Sequence, residues 1–112
     1  PVLDVNSNSE NPIINIRSFG DDPELVSRMG SAFIKGCRDG GIFSCGKHFP
    51  GHGSTATDSH SELPVLSLTR EELFGRDLIP FQSAISEGAD MLMTAHIALP
   101  GITGTGDPAT VS

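Results

Sequence analysis

Apolar residues along the chain fall into blocks of two periods. Val2, Leu3 and Val5 make a short apolar strand. Asn6 to Pro12 is turn chemistry, rich in Asn and Ser, and Ile13, Ile14 and Ile16 suggest a brief extended piece leading into Arg17-Ser-Phe-Gly20. A helix opens next, with Asp22 as N-cap, Pro23 at the first helical position and Glu24 at the positive end of the dipole. Leu25, Met29, Phe33 and Cys37 recur every four residues, flanked by Val26 and Ile34, which predicts one apolar stripe ended by Gly40-Gly41. Ile42 to Lys47 reads as a buried strand. A long Gly-, Ser- and Thr-rich loop follows from His48 to Pro64.

Thr69-Arg-Glu-Glu72 is a capping box that opens a second helical region. Phe74, Leu78, Phe81 and Ile85 keep helical spacing across Pro80, which predicts a bend or two short helices, with Gly88 closing the segment. Ala89 to Ile97 is a third strand, centred on Met91, Leu92 and Met93. Strands that alternate with helices point to a parallel sheet. The expected architecture is α/β, with Val2–Val5, Ile42–Lys47 and Met91–Ile97 as neighbouring parallel strands and the helices on one side. A full (β/α)8 TIM barrel needs about 250 residues. This chain of 112 residues offers about three of its strands and is expected to be a partial barrel. Pro1 carries no initiator Met and opens directly on an apolar strand, so residues 1–112 are read as a fragment, with the remainder of the barrel missing.

Composition narrows the function. A net charge of −7 with only 7 scattered basic residues argues against nucleic acid. No apolar run approaches the roughly 20 residues of a membrane helix. Trp and Tyr are absent, which removes the usual stacking platforms of a carbohydrate site. Cys37 and Cys45 form no CxxC pair and are read as two buried thiols.

Three constellations carry candidate chemistry. Lys47-His-Phe-Pro-Gly-His-Gly53 follows a strand, and its Lys and His are suited to hydrogen-bond sugar hydroxyls while Pro50, Gly51 and Gly53 force a tight path. Taken alone, such a turn is also a common loop. In Asp58-Ser-His60 the i, i+2 spacing of an extended loop lets the carboxylate reach one imidazole nitrogen, which suits a general acid/base near neutral pH. Alone, it reads better as a solvated polar loop. Arg17 offers a planar fork for an acetamido, hydroxyl or carboxylate group, or a surface partner for Asp21 or Asp22. His96 ends the third strand and either lines the same pocket or is structural. His48 and His52 are four apart, but Pro50 and Gly51 preclude the helix that would make them a metal pair, and the spacing fits no standard zinc pattern. No metal or cofactor is expected.

Taken together, these segments resemble one family. Arg17-Ser-Phe-Gly20 with Asp22-Pro23, then Lys47 to Gly53, then Asp58-Ser-His60, then Leu63-Pro64, is similar to the β-N-acetylhexosaminidase branch of the family 3 glycoside hydrolases. Pro1-Val-Leu-Asp-Val-Asn6 and Pro80-Phe81 fit as well, so the resemblance covers essentially the whole chain. It implies a (β/α)8 barrel and a retaining exo-glycosidase that removes terminal β-linked N-acetylglucosamine. It implies that Arg17, Lys47 and His48 hold the sugar, that His60 is the acid/base and that Asp58 is its dyad partner. The family's nucleophilic Asp is expected beyond Ser112, so the fragment alone is expected to be inactive. A β-glucosidase, another family 3 exo-glycosidase or phosphorylase, and a non-catalytic carbohydrate-binding module stay open as alternatives.

Overall fold

The computed structural model describes residues 1–56 and 61–112. In chain order the elements are a 3-10 turn at Asn15–Arg17, α1 at Pro23–Asp39, β1 at Cys45–Phe49, α2 at Arg70–Glu72, a π-helical stretch at Leu73–Asp77, α3 at Ile79–Glu87, β2 at Met91–Thr94 and α4 at Pro100–Thr103. β1 and β2 are parallel, with Cys45, Gly46 and Lys47 opposite Met91, Leu92 and Met93. The first segment lies on the other side of β1 through a parallel bridge from Val2 to Lys47. Its backbone bonds are Leu3 N–H to the Lys47 carbonyl, 2.6 Å, and Lys47 N–H to the Pro1 carbonyl, 3.0 Å. The three segments expected to be parallel neighbours are so arranged, although the first is a bridge rather than a full strand.

Boundaries moved for identifiable reasons. The strand expected over Ile42–Lys47 begins three residues later, and Ile42 and Phe43 are 64% and 82% exposed. Gly41, at φ 73°, turns the chain out of α1, and pairing starts only where Asp90 holds Ser44. Its carboxylate accepts from the Ser44 N–H at 2.8 Å, beside Met91 N–H to the Ser44 carbonyl at 3.1 Å. β2 ends at Thr94 rather than Ile97. Beyond it Ala98 bridges Val65 in parallel and Pro108 in antiparallel fashion, so the buried residues Ala95, Ile97 and Leu99 join Leu66 in a second apolar cluster. Ile13 to Ile16 is not extended, because Asn11 Oδ1 takes the N–H groups of both Ile13 and Ile14 and curls the chain. Ile14 is buried and Ile16 exposed.

α1 starts as its sequence predicts, with the Asp22 carboxylate accepting from Glu24 N–H at 3.0 Å. Its buried face differs from the expected stripe. Val26, Ser27, Gly30 and Ile34 are buried, whereas Met29 and Phe33 are exposed. The rotation follows from Leu3. A Cβ at Gly30 would sit 2.4 Å from Leu3 Cδ2, and one at Gly46 would sit 2.6 Å from Leu3 Cδ1. Leu3 thus fills a slot between two bare backbones, and the helix must present Gly30 to it. Leu3, Ile34, Phe81 and Ala84 form the main core cluster, with Phe49 edge-on to Phe81 at 5.4 Å.

The capping box at Thr69 and Glu72 is complete. The disruption expected around Pro80 takes the form of two short helices, α2 and α3, separated by the π-helical stretch, which is closed by Leu78 N–H to the Leu73 carbonyl at 2.9 Å. Pro80 then falls in the first turn of α3, where its missing N–H costs nothing. Gly88 caps α3 in the left-handed region. Cys37 and Cys45 are free thiols, half-buried rather than buried. Among the described residues no helix is long and apolar enough to cross a membrane.

Phe81 is 1% exposed at the centre of the core. Phe81→Ala in the intact protein should cost about 3–5 kcal/mol, read from chemical denaturation, and Phe81→Leu should cost less.

Candidate active site

The C-terminal end of β1 is built around Asp4. This residue is fully buried, set in the apolar run Leu3-Asp4-Val5. A buried carboxylate needs donors, and three N–H groups supply them. Oδ1 accepts from His52 N–H at 2.7 Å and from His48 N–H at 3.2 Å. Oδ2 lies 2.8 Å from His48 Nδ1. The Asp4 carbonyl accepts from Ser18 Oγ at 2.6 Å. One residue thereby ties the segment after Arg17, the end of β1 and the root of the following loop.

The strand is irregular at His48. Lys47 pairs with Met93 and Phe49 with Thr94, with a register shift between them at His48, as expected if Lys47 and His48 were to share a site. The Lys47–His48 and Phe49–Pro50 peptide bonds are both cis. His48 and Lys47 are half-buried, and the His48 ring meets His52 edge-on at 6.1 Å. Arg17 is exposed, its guanidinium donating to the Ile13 carbonyl at 3.2 Å. No hydrogen bond or ion pair joins the Arg17, Lys47 and His48 side chains to one another among the described residues. Their segments are linked through Asp4. His96 is exposed, with Nδ1 3.0 Å from Thr110 Oγ1. Asp58 and His60 lie outside the described residues. Among the described residues no group of three or more His, Cys, Asp or Glu could hold a metal ion.

The loop root is pinned twice more. His52 is buried, with Nδ1 2.6 Å from Thr55 Oγ1, and Asn11 Nδ2 donates to the His52 carbonyl at 2.7 Å and to Thr55 Oγ1 at 3.1 Å. From the other side, Arg76 pairs with Asp77 at 2.9 Å and donates to Ser54 Oγ at 3.0 Å. Burial pushes the Asp77 carboxyl above its ordinary range, against the opposing pull of Arg76 and Ser54. An apolar groove of about 280 Å³ is lined by Phe49, Pro50, Leu73, Phe74, Leu78 and Leu99. Its carbon-rich walls suit a polyhydroxylated ligand poorly.

Asp4, Asn11, Thr55 and Asp77 escaped the reading of the sequence. Asp4 alone left a signal, a charged residue inside an apolar strand, which demands a buried partner.

With this geometry in place, likeness to known proteins is decisive. Residues 1–112 match the family described as the glycosyl hydrolase family 3 N terminal domain. The chain belongs to glycosyl hydrolase family 3. It is 45% identical over 103 residues to beta-hexosaminidase A of Pseudoalteromonas piscicida, covering 91% of this chain and 17% of that protein. It superposes on a family 3 beta-N-acetylglucosaminidase from Paenibacillus sp. str. FPU-7 with a TM-score of 0.98 and 46% identity, over 100% of this chain and 21% of that one. A third likeness is to NagZ from Neisseria gonorrhoeae in complex with N-trifluoroacetyl-D-glucosamine, with a TM-score of 0.90, 42% identity, and 100% and 32% coverage. The chain therefore spans less than a third of each of these relatives. The α/β arrangement is that of part of a family 3 (β/α)8 barrel, as expected.

Three outcomes follow, two at the loop root and one in α1. A Cβ at Gly53 would lie 1.9 Å from the Val5 carbonyl oxygen. Gly53→Ala should destabilise the intact protein by about 1–3 kcal/mol, because two backbones must part. Gly36→Ala, with nothing within 4 Å and a helical position, should stabilise it by about 0.4–1 kcal/mol. For Asp77, a folded pKa raised above the unfolded one means that the folded state holds more protons between the two values. Its contribution to stability is greatest at acid pH and falls as pH rises through the folded value. The stability deficit of Asp77→Asn should therefore narrow as pH climbs from about 3.9, the ordinary Asp value, toward neutrality. Denaturation midpoints at a series of pH values read this directly.

Proposed function

We propose that the intact protein is a retaining β-N-acetylhexosaminidase that releases terminal β-linked N-acetylglucosamine, and that residues 1–112 are the part of its N-terminal catalytic domain carrying the sugar-binding and acid/base residues. The observation that carries this reading is 46% identity and a TM-score of 0.98 to a beta-N-acetylglucosaminidase across the whole chain. Support comes from a relative whose complex holds N-trifluoroacetyl-D-glucosamine, and from a His held at the end of a barrel-type strand, where such folds build their sites.

In this reading Lys47 and His48 bind sugar hydroxyls, and Arg17 offers its fork to the acetamido or a hydroxyl oxygen. A carboxylate from outside residues 1–112 attacks the anomeric carbon. The bond to the leaving oxygen breaks, and His60 delivers a proton to that oxygen. In the second step His60 takes a proton from water, whose oxygen attacks the anomeric carbon and displaces the carboxylate. Most retaining glycosidases give this task to a carboxylic acid. Asp58 orients the imidazole and raises its basicity.

The deciding assay compares an aryl N-acetyl-β-glucosaminide with the matching aryl β-glucoside on the intact protein. Preference for the first is expected, and the reverse preference would overturn the substrate assignment. His60→Ala should lower turnover of a substrate with a poor leaving group by roughly 10²–10⁴-fold. Substrates with a very good leaving group should keep their first step and accumulate the glycosyl-enzyme. Asp58→Ala should give a milder form of the same defect.

A further inference from the structure

His48 has one ring nitrogen engaged. Nδ1 faces Oδ2 of Asp4 at 2.8 Å, and Nε2 forms no hydrogen bond with a described residue. The His48 side chain is 16% exposed, whereas Asp4 is at 0%. The other Asp4 oxygen is fully occupied by the main-chain N–H groups of His48 and His52, so the carboxylate cannot swing away without leaving two donors unmet. A carboxylate only accepts, so Nδ1 must be the donor. In a neutral imidazole one nitrogen donates and the other accepts, and the partner of one nitrogen sets the state of the other.

We propose that Asp4 is a positioning residue that locks His48 as the Nδ1–H tautomer, so that Nε2 presents a lone pair to a sugar hydroxyl. This rests on the reading of His48 as a sugar-binding residue. The consequence is a complementary pair at the end of β1. The Lys47 ammonium can only donate, whereas His48 accepts. A hydroxyl group does both, so the pair selects hydroxyls over groups that only accept, such as a carboxylate, or only donate, such as an ammonium. Asp4 also differs from a plain loop staple in what its amide would do. Asparagine at this position can still accept from both main-chain N–H groups through its oxygen. Its NH2 would then face His48 Nδ1 as a donor and drive the ring to the Nε2–H tautomer.

The test uses 15N-histidine NMR on the intact protein, with His48 assigned by its loss in His48→Gln, together with the affinity for N-acetylglucosamine. The wild-type His48 should carry its proton on Nδ1 and none on Nε2. Asp4→Asn should move the proton to Nε2 and weaken N-acetylglucosamine by about 10- to 100-fold, by analogy with the loss met when the outer partner of a metal-ligating His is removed. A wild-type ring protonated on Nε2, whether neutral or charged, overturns the proposal, and this measurement stands even if the variant fails to fold. A folded Asp4→Asn protein whose tautomer is unchanged, or whose tautomer flips with no loss of affinity, also overturns it. Wild-type protein that binds no N-acetylglucosamine would instead refute the sugar-binding reading of His48, and the tautomer measurement would still decide what Asp4 does.

Discussion

A carboxylate without contact to water must find donors inside the protein, and in this chain that constraint falls on Asp4. Three N–H groups from two residues 44 and 48 positions away meet it. Leaving such a group unpaired would cost several kcal/mol, so the end of β1 and the root of the following loop cannot drift from the first segment. Leu3, the preceding residue, adds an apolar lock, seated between Gly30 of α1 and Gly46 of β1. A polar anchor and an apolar one, side by side in sequence, thus fix where the helix, the strand and the loop meet.

The rest of the site root repeats this pattern with weaker members. Asn11 bonds to His52 and Thr55 on one side of the loop, and Arg76 and Asp77 hold Ser54 on the other. The π-helical stretch at Leu73–Asp77 serves the site as well as the fold. It ends on Asp77, whose Cβ lies 3.0 Å from where a side chain at Gly51 would start, so only a bare backbone can pass there. The glycines of Lys47 to Gly53 are therefore explained by close approach to neighbouring segments, before any ligand is considered.

Membership of glycosyl hydrolase family 3 is carried by the match across residues 1–112, and the geometry around Asp4 gives that match a local physical meaning. The motif segments are far apart in sequence, yet the Arg17 segment and His48 both hang on one buried residue. Arg17 itself stays exposed and Lys47 half-buried.

The sequence by itself determined the helix starts, because caps are local. Asp22-Pro23 and the Thr69 to Glu72 box each close hydrogen bonds within a few residues of themselves. It determined the order of strands and helices, and the disruption at Pro80, since a proline without an N–H cannot sit in a helix interior. It also picked out Lys47 and His48 as candidates, and since adjacent residues of a regular strand face opposite ways, the two could share a site only with a break in the strand between Lys47 and Phe49. Only the tertiary structure decided which face of α1 is buried, since hydrophobic spacing favoured Met29 and Phe33 and the bulk of Leu3 favoured Gly30. It decided where β1 begins, because pairing depends on Asp90 and Met91, more than forty residues away. And it decided the role of Asp4, whose three hydrogen-bond donors come from the end of β1 and the root of the following loop, which no local pattern connects to the first segment.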